Sequence, residues 1–161
     1  MKISLVGNPN SGKTSLFNQL TGLNQKIGNF PGVTVDKKSG KLKRSDNPVE
    51  ILDLPGIYSL YPKTQDEKVV YDLLRDKQNP DYPDRIVVVV DASNLERNLL
   101  LFTQVLDLGV PVTMALNMTD VADKKGLVID TDKLSEVLGG VDIMPIIART
   151  GKGVNELIDH L

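Results

Sequence analysis

Gly7-Asn8-Pro9-Asn10-Ser11-Gly12-Lys13-Thr14 meets the pattern G-x-x-x-x-G-K-[ST] at every specified position. Just before it, Ile3 to Val6 is a short apolar run. Just after it, Lys13 to Leu20 carries Leu16, Phe17 and Leu20 at helical spacing. A glycine-rich turn between a strand and a helix lets successive main-chain N–H groups point inward at an anion, and the positive end of the helix dipole adds to them. In such a loop Lys13 neutralises charge on the β and γ phosphates of a nucleotide, and the Thr14 hydroxyl ligates Mg²⁺. The plain alternative is a strand-to-helix turn with no ligand; the strand before and the helix after make it the weaker one.

Outward from this loop, strands and helices alternate. Val33 to Leu42 and Val49 to Leu52 read as strands around the turn residues Ser45-Asp46-Asn47-Pro48. Thr64 to Arg75 is helical, with Val69, Val70, Leu73 and Leu74 on one side. Arg85 to Val90 is β-branched almost throughout, as befits a strand covered on both faces. Leu95 to Leu108 reads as a helix capped by Ser93 or Asn94 and stopped at Gly109. Val110 to Leu116 follows as a strand, Thr131 to Leu138 as a helix, Ile143 to Ile147 as the last strand and Val154 to Leu161 as the last helix. This order implies an α/β fold, a mostly parallel sheet with helices on both faces. Sites in such sheets lie at the carboxyl ends of the strands, here just after Val6, Leu52, Leu116 and Ile147.

Composition narrows the chemistry. The 161 residues suit one ordinary domain, and 40% hydrophobic with 25% charged residues suits a folded, soluble one. With 19 basic against 21 acidic residues, the large basic excess of a nucleic-acid binder is missing. There are no cysteines, so disulfides, zinc ribbons and iron–sulfur clusters are out, and a reducing compartment is expected. A single histidine, His160, excludes any site that needs two and reads as a surface residue. The longest strand-like apolar run, Ile86 to Val90, is far short of a bilayer span, and the first residues are too soon interrupted to form a signal peptide.

Two further motifs bear on the ligand. Asp53-Leu54-Pro55-Gly56 follows an apolar strand, 40 residues after Lys13. An aspartate at a strand end is placed to hold Mg²⁺ through water, and the Gly56 amide can approach a γ-phosphate because no side chain blocks it. Asn117-Met118-Thr119-Asp120 follows the strand ending at Leu116 and has the spacing N-x-x-D. The Asp120 carboxylate can accept two hydrogen bonds from the N1–H and N2 amine of guanine. Adenine offers neither and would leave the carboxylate unpaired. Asn117 can tie this loop to the phosphate loop. Met118 stands where a lysine stem more commonly covers the base, and can supply the same apolar cover. A helix cap by Asn117 or Asp120 is the local alternative. A fifth loop, Ile147-Ala148-Arg149-Thr150-Gly151, offers the Ala148 N–H for the guanine carbonyl, with Arg149 beside it, although Ile147 replaces the usual serine.

Taken together, these residues resemble the TRAFAC-class P-loop GTPases, and more closely the N-terminal cytosolic GTPase domain of the FeoB family, ferrous iron transport protein B. The resemblance is carried by Gly7 to Asn18, by Leu20-Thr21-Gly22, by Gly28-Asn29-Phe30-Pro31-Gly32-Val33-Thr34-Val35 and by Asp53-Leu54-Pro55-Gly56-Ile57-Tyr58-Ser59-Leu60. It implies a Ras-like, three-layer α/β/α fold with a six- or seven-stranded sheet over residues 1–161. Asn8, Asn10, Ser11, Gly12, Lys13, Thr14 and Ser15 would then hold GTP or GDP. Gly28 to Lys38 would be the first switch, with Thr34 on Mg²⁺ and the γ-phosphate, and Leu54 to about Gln65 the second, with Gly56 as sensor. Where Ras-like GTPases carry a water-orienting glutamine after the D-x-x-G glycine, this chain has Ile57, so slow hydrolysis is expected, or hydrolysis aided by backbone groups and a cation. The family offers K⁺, held by the residue at the position of Asn10. The catalytic set is therefore Lys13, Thr34, Gly56 and Asn10.

The resemblance further implies a helical regulatory domain and a membrane domain that carries Fe²⁺, both downstream; the end at Leu161 inside a helical pattern agrees with a chain that continues. The domain would sit at the cytoplasmic face of the bacterial inner membrane, bind no nucleic acid and bind no iron itself. A ribosome-assembly or tRNA-modification GTPase shares the same loops and is the rival, and a binding switch with negligible turnover is a second one. Lys37, Lys38, Lys41, Lys43 and Arg44 read as a solvated sheet edge, Tyr58, Tyr61 and Tyr71 as packing residues, and Asp123 to Gly126 as a helix end.

Overall fold

The first apolar run and the phosphate loop become strand β1 (Lys2–Gly7) and helix α1 (Lys13–Thr21). In the computed structural model, which describes residues 1–43 and 48–161, they are followed by β2 (Gln25–Asn29), β3 (Asp36–Lys41), β4 (Glu50–Asp53) and α2 (Gln65–Arg75). The second half holds β5 (Arg85–Asp91), α3 (Leu95–Leu106), β6 (Val112–Asn117), α4 (Thr119–Lys124), α5 (Thr131–Val137), β7 (Asp142–Pro145) and α6 (Val154–His160). The seven strands form one sheet in the order β2-β3-β4-β1-β5-β6-β7. β4, β1, β5, β6 and β7 are parallel, while β3 runs antiparallel to both β2 and β4.

Side chains alternate across the central strands, so each face has its own core. Ile86, Val88 and Val90 pack under α2 and α3 with Val70, Leu73, Leu74, Leu101, Phe102 and Val105. Val87 and Val89 pack on the other face with Leu16, Phe17 and Leu20 of α1 and Leu157 and Ile158 of α6. The result is a three-layer α/β/α sandwich. α2 begins at a capping box: Thr64 Oγ1 accepts from Glu67 N, and Glu67 Oε2 accepts from Thr64 N. α1 ends at Gly22, whose φ of 64° places it in the left-handed region.

Several sequence expectations need correction. The strand read from Val33 to Leu42 begins only at Asp36, and Val33 to Val35 lie in a hairpin loop closed by Phe30 N donating to Val35 O at 2.9 Å. Its partner β2 was not expected, because Gln25-Lys26-Ile27-Gly28-Asn29 is exposed at every position and shows no buried face. Asp53 therefore ends the fourth strand. β2, and not the lysine-bearing β3, is the sheet edge, and Lys37 pairs with Asp81. The expected turn at Ser45 to Pro48 and the placement of Arg44 fall on or beside 44–47, outside the described residues. α3 starts at Asn94 without a side-chain cap bond; Asp91 instead caps the short 3-10 turn Ala92–Asn94 through Ser93 N. Tyr58 and Tyr61 are 42% and 76% exposed, so only Tyr71 packs against the core. His160 is half-buried, 3.3 Å from Asp142 Oδ2.

Candidate functional site

The backbone of the loop between β1 and α1 is shaped by two left-handed residues, Asn10 with φ 65° and Gly12 with φ 87°. A Cβ on Gly12 would stand 2.2 Å from Asn117 Nδ2, so glycine is required both by conformation and by space. Asn117 is 3% exposed and reaches in both directions. Its Nδ2 donates to Ser11 O at 2.9 Å, and its Oδ1 accepts from Ala148 N at 2.9 Å. One amide thus joins the phosphate loop, the end of β6 and the loop after β7. Sequence reasoning foresaw the first of these bonds but assigned the Ala148 N–H to a base; in this structure Asn117 takes it.

Lys13, Thr14, Thr34, Asp53 and Gly56 come together on one cavity of about 400 Å³, although they come from three different segments. Lys13 and Asp53 are buried, and Lys13 Nζ donates to Asp53 Oδ1. Thr14, Thr34 and Gly56 are exposed on the cavity rim. Gly56 lies against the phosphate loop: a Cβ there would be 3.2 Å from Pro9 Cα. The next residue is tied to the same loop by Ile57 N donating to Gly7 O at 3.1 Å. The Ile57 side chain is fully buried in the core under α2 and α3, so this position does not face the cavity. Asp66, in the first turn of α2, lines the cavity too. Sequence reading passed over it; the capping box begun by Thr64 was the signal that would have set Asp66 at a helix start. Hydroxyl and carboxylate oxygens from Thr14, Thr34 and Asp53 around one space, with an ammonium beside them, are the hard donor set that Mg²⁺ and a polyphosphate require.

At the other end of the site, Met118 has φ 60° and precedes α4, whose first turn carries Asp120. Arg149 Nη2 lies 3.5 Å from Asp120 Oδ2 with its own side chain 79% exposed, an ion pair too loose and too wet to bind tightly. Asp120 therefore keeps acceptor capacity. Asn8, Asn10 and Ser11 border a separate cavity of about 130 Å³ with residues of α3, and Ser15 is exposed on α1. Asn10 is exposed and lies outside the cavity that those five residues share. A larger depression of about 900 Å³, bordered by Met1, Leu23, Lys41 and Glu50, contains no motif residue other than Thr21. Size alone is no guide to chemistry here, since the charged and conformationally special residues gather elsewhere.

A sheet of this order, with G-x-x-x-x-G-K-T between β1 and α1 and D-x-x-G and N-x-x-D loops at the ends of β4 and β6, defines a P-loop NTPase of the Ras-like GTPase type. The chain belongs to the ferrous iron transport protein B family, whose model FeoB_N matches residues 1–161. It is 48% identical over 156 residues to the Fe(2+) transporter FeoB of Leptospira biflexa, covering 96% of this chain and 22% of that one. A mutant of S. thermophilus NFeoB bound to mGDP matches with a TM-score of 0.91 and 51% identity, covering 98% of this chain and 58% of that one. The cytosolic domain of L. pneumophila FeoB matches with a TM-score of 0.91 and 45% identity over 99% of this chain and 61% of that one. The chain spans about a fifth of the length of the curated relatives it matches. No helix among the described residues is long and apolar enough to cross a membrane.

Proposed function

We propose that this chain is the GTP-binding and GTP-hydrolysing switch domain of a ferrous iron transporter. It works at the cytoplasmic face of the bacterial inner membrane, with helical regulatory and membrane domains in the same polypeptide. The observation that carries the reading is the Asn117 bridge, which fixes Asp120 and the Ala148 loop relative to the phosphate loop. In this reading the Asp120 carboxylate serves guanine at one end of that frame, and a cationic, amide-rich cradle serves the phosphates at the other. GDP-bound relatives of the same fold support it. Family membership favours it over a ribosome-assembly or tRNA-modification GTPase.

In this reading the main-chain amides from Asn8 to Ser15 and the Lys13 ammonium hold the phosphates, which requires Lys13 to leave Asp53. Thr14, Thr34 and Asp53, the last through water, would hold Mg²⁺, which neutralises the oxygens of the β and γ phosphates. Thr34 and the Gly56 amide engage the third phosphate and so report its presence. Asp120 selects guanine, Met118 and the Arg149 stem cover the base, and the Ala148 loop lies at its carbonyl. Asn10 would hold K⁺ beside the phosphates. Turnover is slow because Ile57 can orient no water. The membrane domain, not this one, moves Fe²⁺.

Calorimetric titration with GDP, GTP and ATP in matched K⁺ and Na⁺ buffers tests the reading. Guanine nucleotides bind and ATP does not; ATP binding as tight as GTP would refute it.

A further inference from the structure

Asn8 is 4% exposed, and its Nδ2 and Oδ1 are both buried with no hydrogen-bond partner. Leaving both ends of one buried amide unpaired is costly, and such a group calls for an explanation. Asn8 borders the cavity of about 130 Å³ that separates the phosphate loop from α3. Ser11 Oγ on the same cavity is likewise buried without a partner, whereas the polar groups of Asp91, Asn94 and Asn98 are engaged. Asp91 Oδ1 accepts from Ser93 N and Oδ2 from Asn94 Nδ2, both at 2.8 Å. Asn98 Oδ1 accepts from Asp91 N at 3.2 Å, and its Nδ2 donates to Asn94 O at 2.9 Å.

Tyr58 and Arg97 line the same cavity, and they meet each other by stacking, Arg97 Cζ lying 4.5 Å from the Tyr58 ring centre. A guanidinium can only donate, so it could serve only Oδ1. A phenol both donates and accepts, so it suits either end of an amide. The backbone already brings the two together. Ile57 N donates to Gly7 O at 3.1 Å, and Tyr58 and Asn8 are the residues that follow each member of that pair.

We propose that Asn8 is a positioning residue for the second switch: in the triphosphate form Tyr58 turns off Arg97 into the cavity, and its hydroxyl bonds the Asn8 amide. This bond latches the segment behind Gly56 and holds the Gly56 amide toward the third phosphate. The inference rests on the GTP-switch reading above and names a group through which that switch is held.

The test measures affinities of the whole chain for GDP and for a non-hydrolysable GTP analogue. Tyr58→Phe weakens the analogue about fivefold and leaves GDP binding unchanged. Asn8→Ala lowers the ratio of analogue to GDP affinity by the same factor, and the double variant lowers it no further. The nucleotide-free Asn8→Ala protein melts no lower than the parent, because a buried unpaired amide has been removed. An unchanged ratio in Tyr58→Phe, or factors that multiply in the double variant, would overturn the latch. So would an Asn8→Ala protein that melts lower and loses both nucleotides equally, which would make Asn8 merely structural. If the unaltered protein bound neither guanine nucleotide, the switch reading itself would fall, and the latch with it.

Discussion

Lys13 and Asp53 are bonded to each other, ammonium to carboxylate, at the bottom of the cavity where phosphate and metal are expected. The side chains are only 10% and 5% exposed, so neither charge has water to fall back on. Each holds the other in place until a ligand offers both a better partner. In the proposed reading, nucleotide binding exchanges partners within this preformed charge pair and does not fill an uncharged cleft.

That pairing sets the first prediction. Asp53→Ala leaves the Lys13 ammonium buried and alone, and costs about 3 kcal/mol of stability in the nucleotide-free protein. Saturating GDP returns part of the loss, because phosphates then neutralise Lys13. Thermal melts with and without GDP check this; equal losses in both conditions would contradict it.

The Asn117 bridge sets a second. Asn117→Ala strips partners from Ser11 O and Ala148 N, and the unpaired groups together cost about 2–4 kcal/mol. Guanine nucleotide binding falls with it, since the two ends of the site lose their common brace. Urea denaturation and GDP titration of the same variant report the two effects.

Base selection is tested at Asp120. Asp120→Asn removes the carboxylate acceptor and weakens GTP by about 100-fold, in line with about 1.5–3 kcal/mol for each hydrogen bond to a charged group. Xanthosine nucleotides, whose N2 amine is replaced by a carbonyl, then bind better than guanosine ones. Guanine preference that survived the change would contradict the assignment.

Thr34 sits on an exposed hairpin loop at the rim of the cavity it shares with Lys13, Thr14 and Asp53, and in the proposed reading its contacts belong to the triphosphate state. Thr34→Ala slows hydrolysis at least about tenfold, the loss of more than about 1.4 kcal/mol of transition-state stabilisation, and leaves GDP affinity close to normal. A large GDP defect in a binding assay would count against this role.

For Asn10 the expected signature is ionic. Replacing Na⁺ by K⁺ raises phosphate release from GTP, and Asn10→Ala erases the difference between the two salts. Equal rates in both salts for the unaltered protein would end the K⁺ assignment.

What could be read directly from the chain were the loops whose chemistry is local. Gly7 to Thr14 declares a phosphate loop because its glycines, lysine and threonine act within eight consecutive residues. The β-branched run Ile86 to Val90 declares a central strand because successive side chains, which point to opposite faces, are all buried. β2 gave no such signal, although β3 lies within the strand expected from Val33 to Leu42. β2 is a strand because its backbone pairs with β3, not because its side chains are buried, and no pattern of hydrophobicity records that.

The order of residues alone determined the ligand class: which turns could accept an anion and which carboxylates stood at strand ends. Tertiary structure decided who meets whom. Asn117 bonds Ser11 across 106 positions of chain, Lys13 finds Asp53 across 40, and Asn8 borders one cavity with Tyr58, its amide unpaired. The reason is physical: a backbone turn is governed by its own few torsions, whereas a side-chain partnership depends on sheet order and register, which only the packed whole specifies.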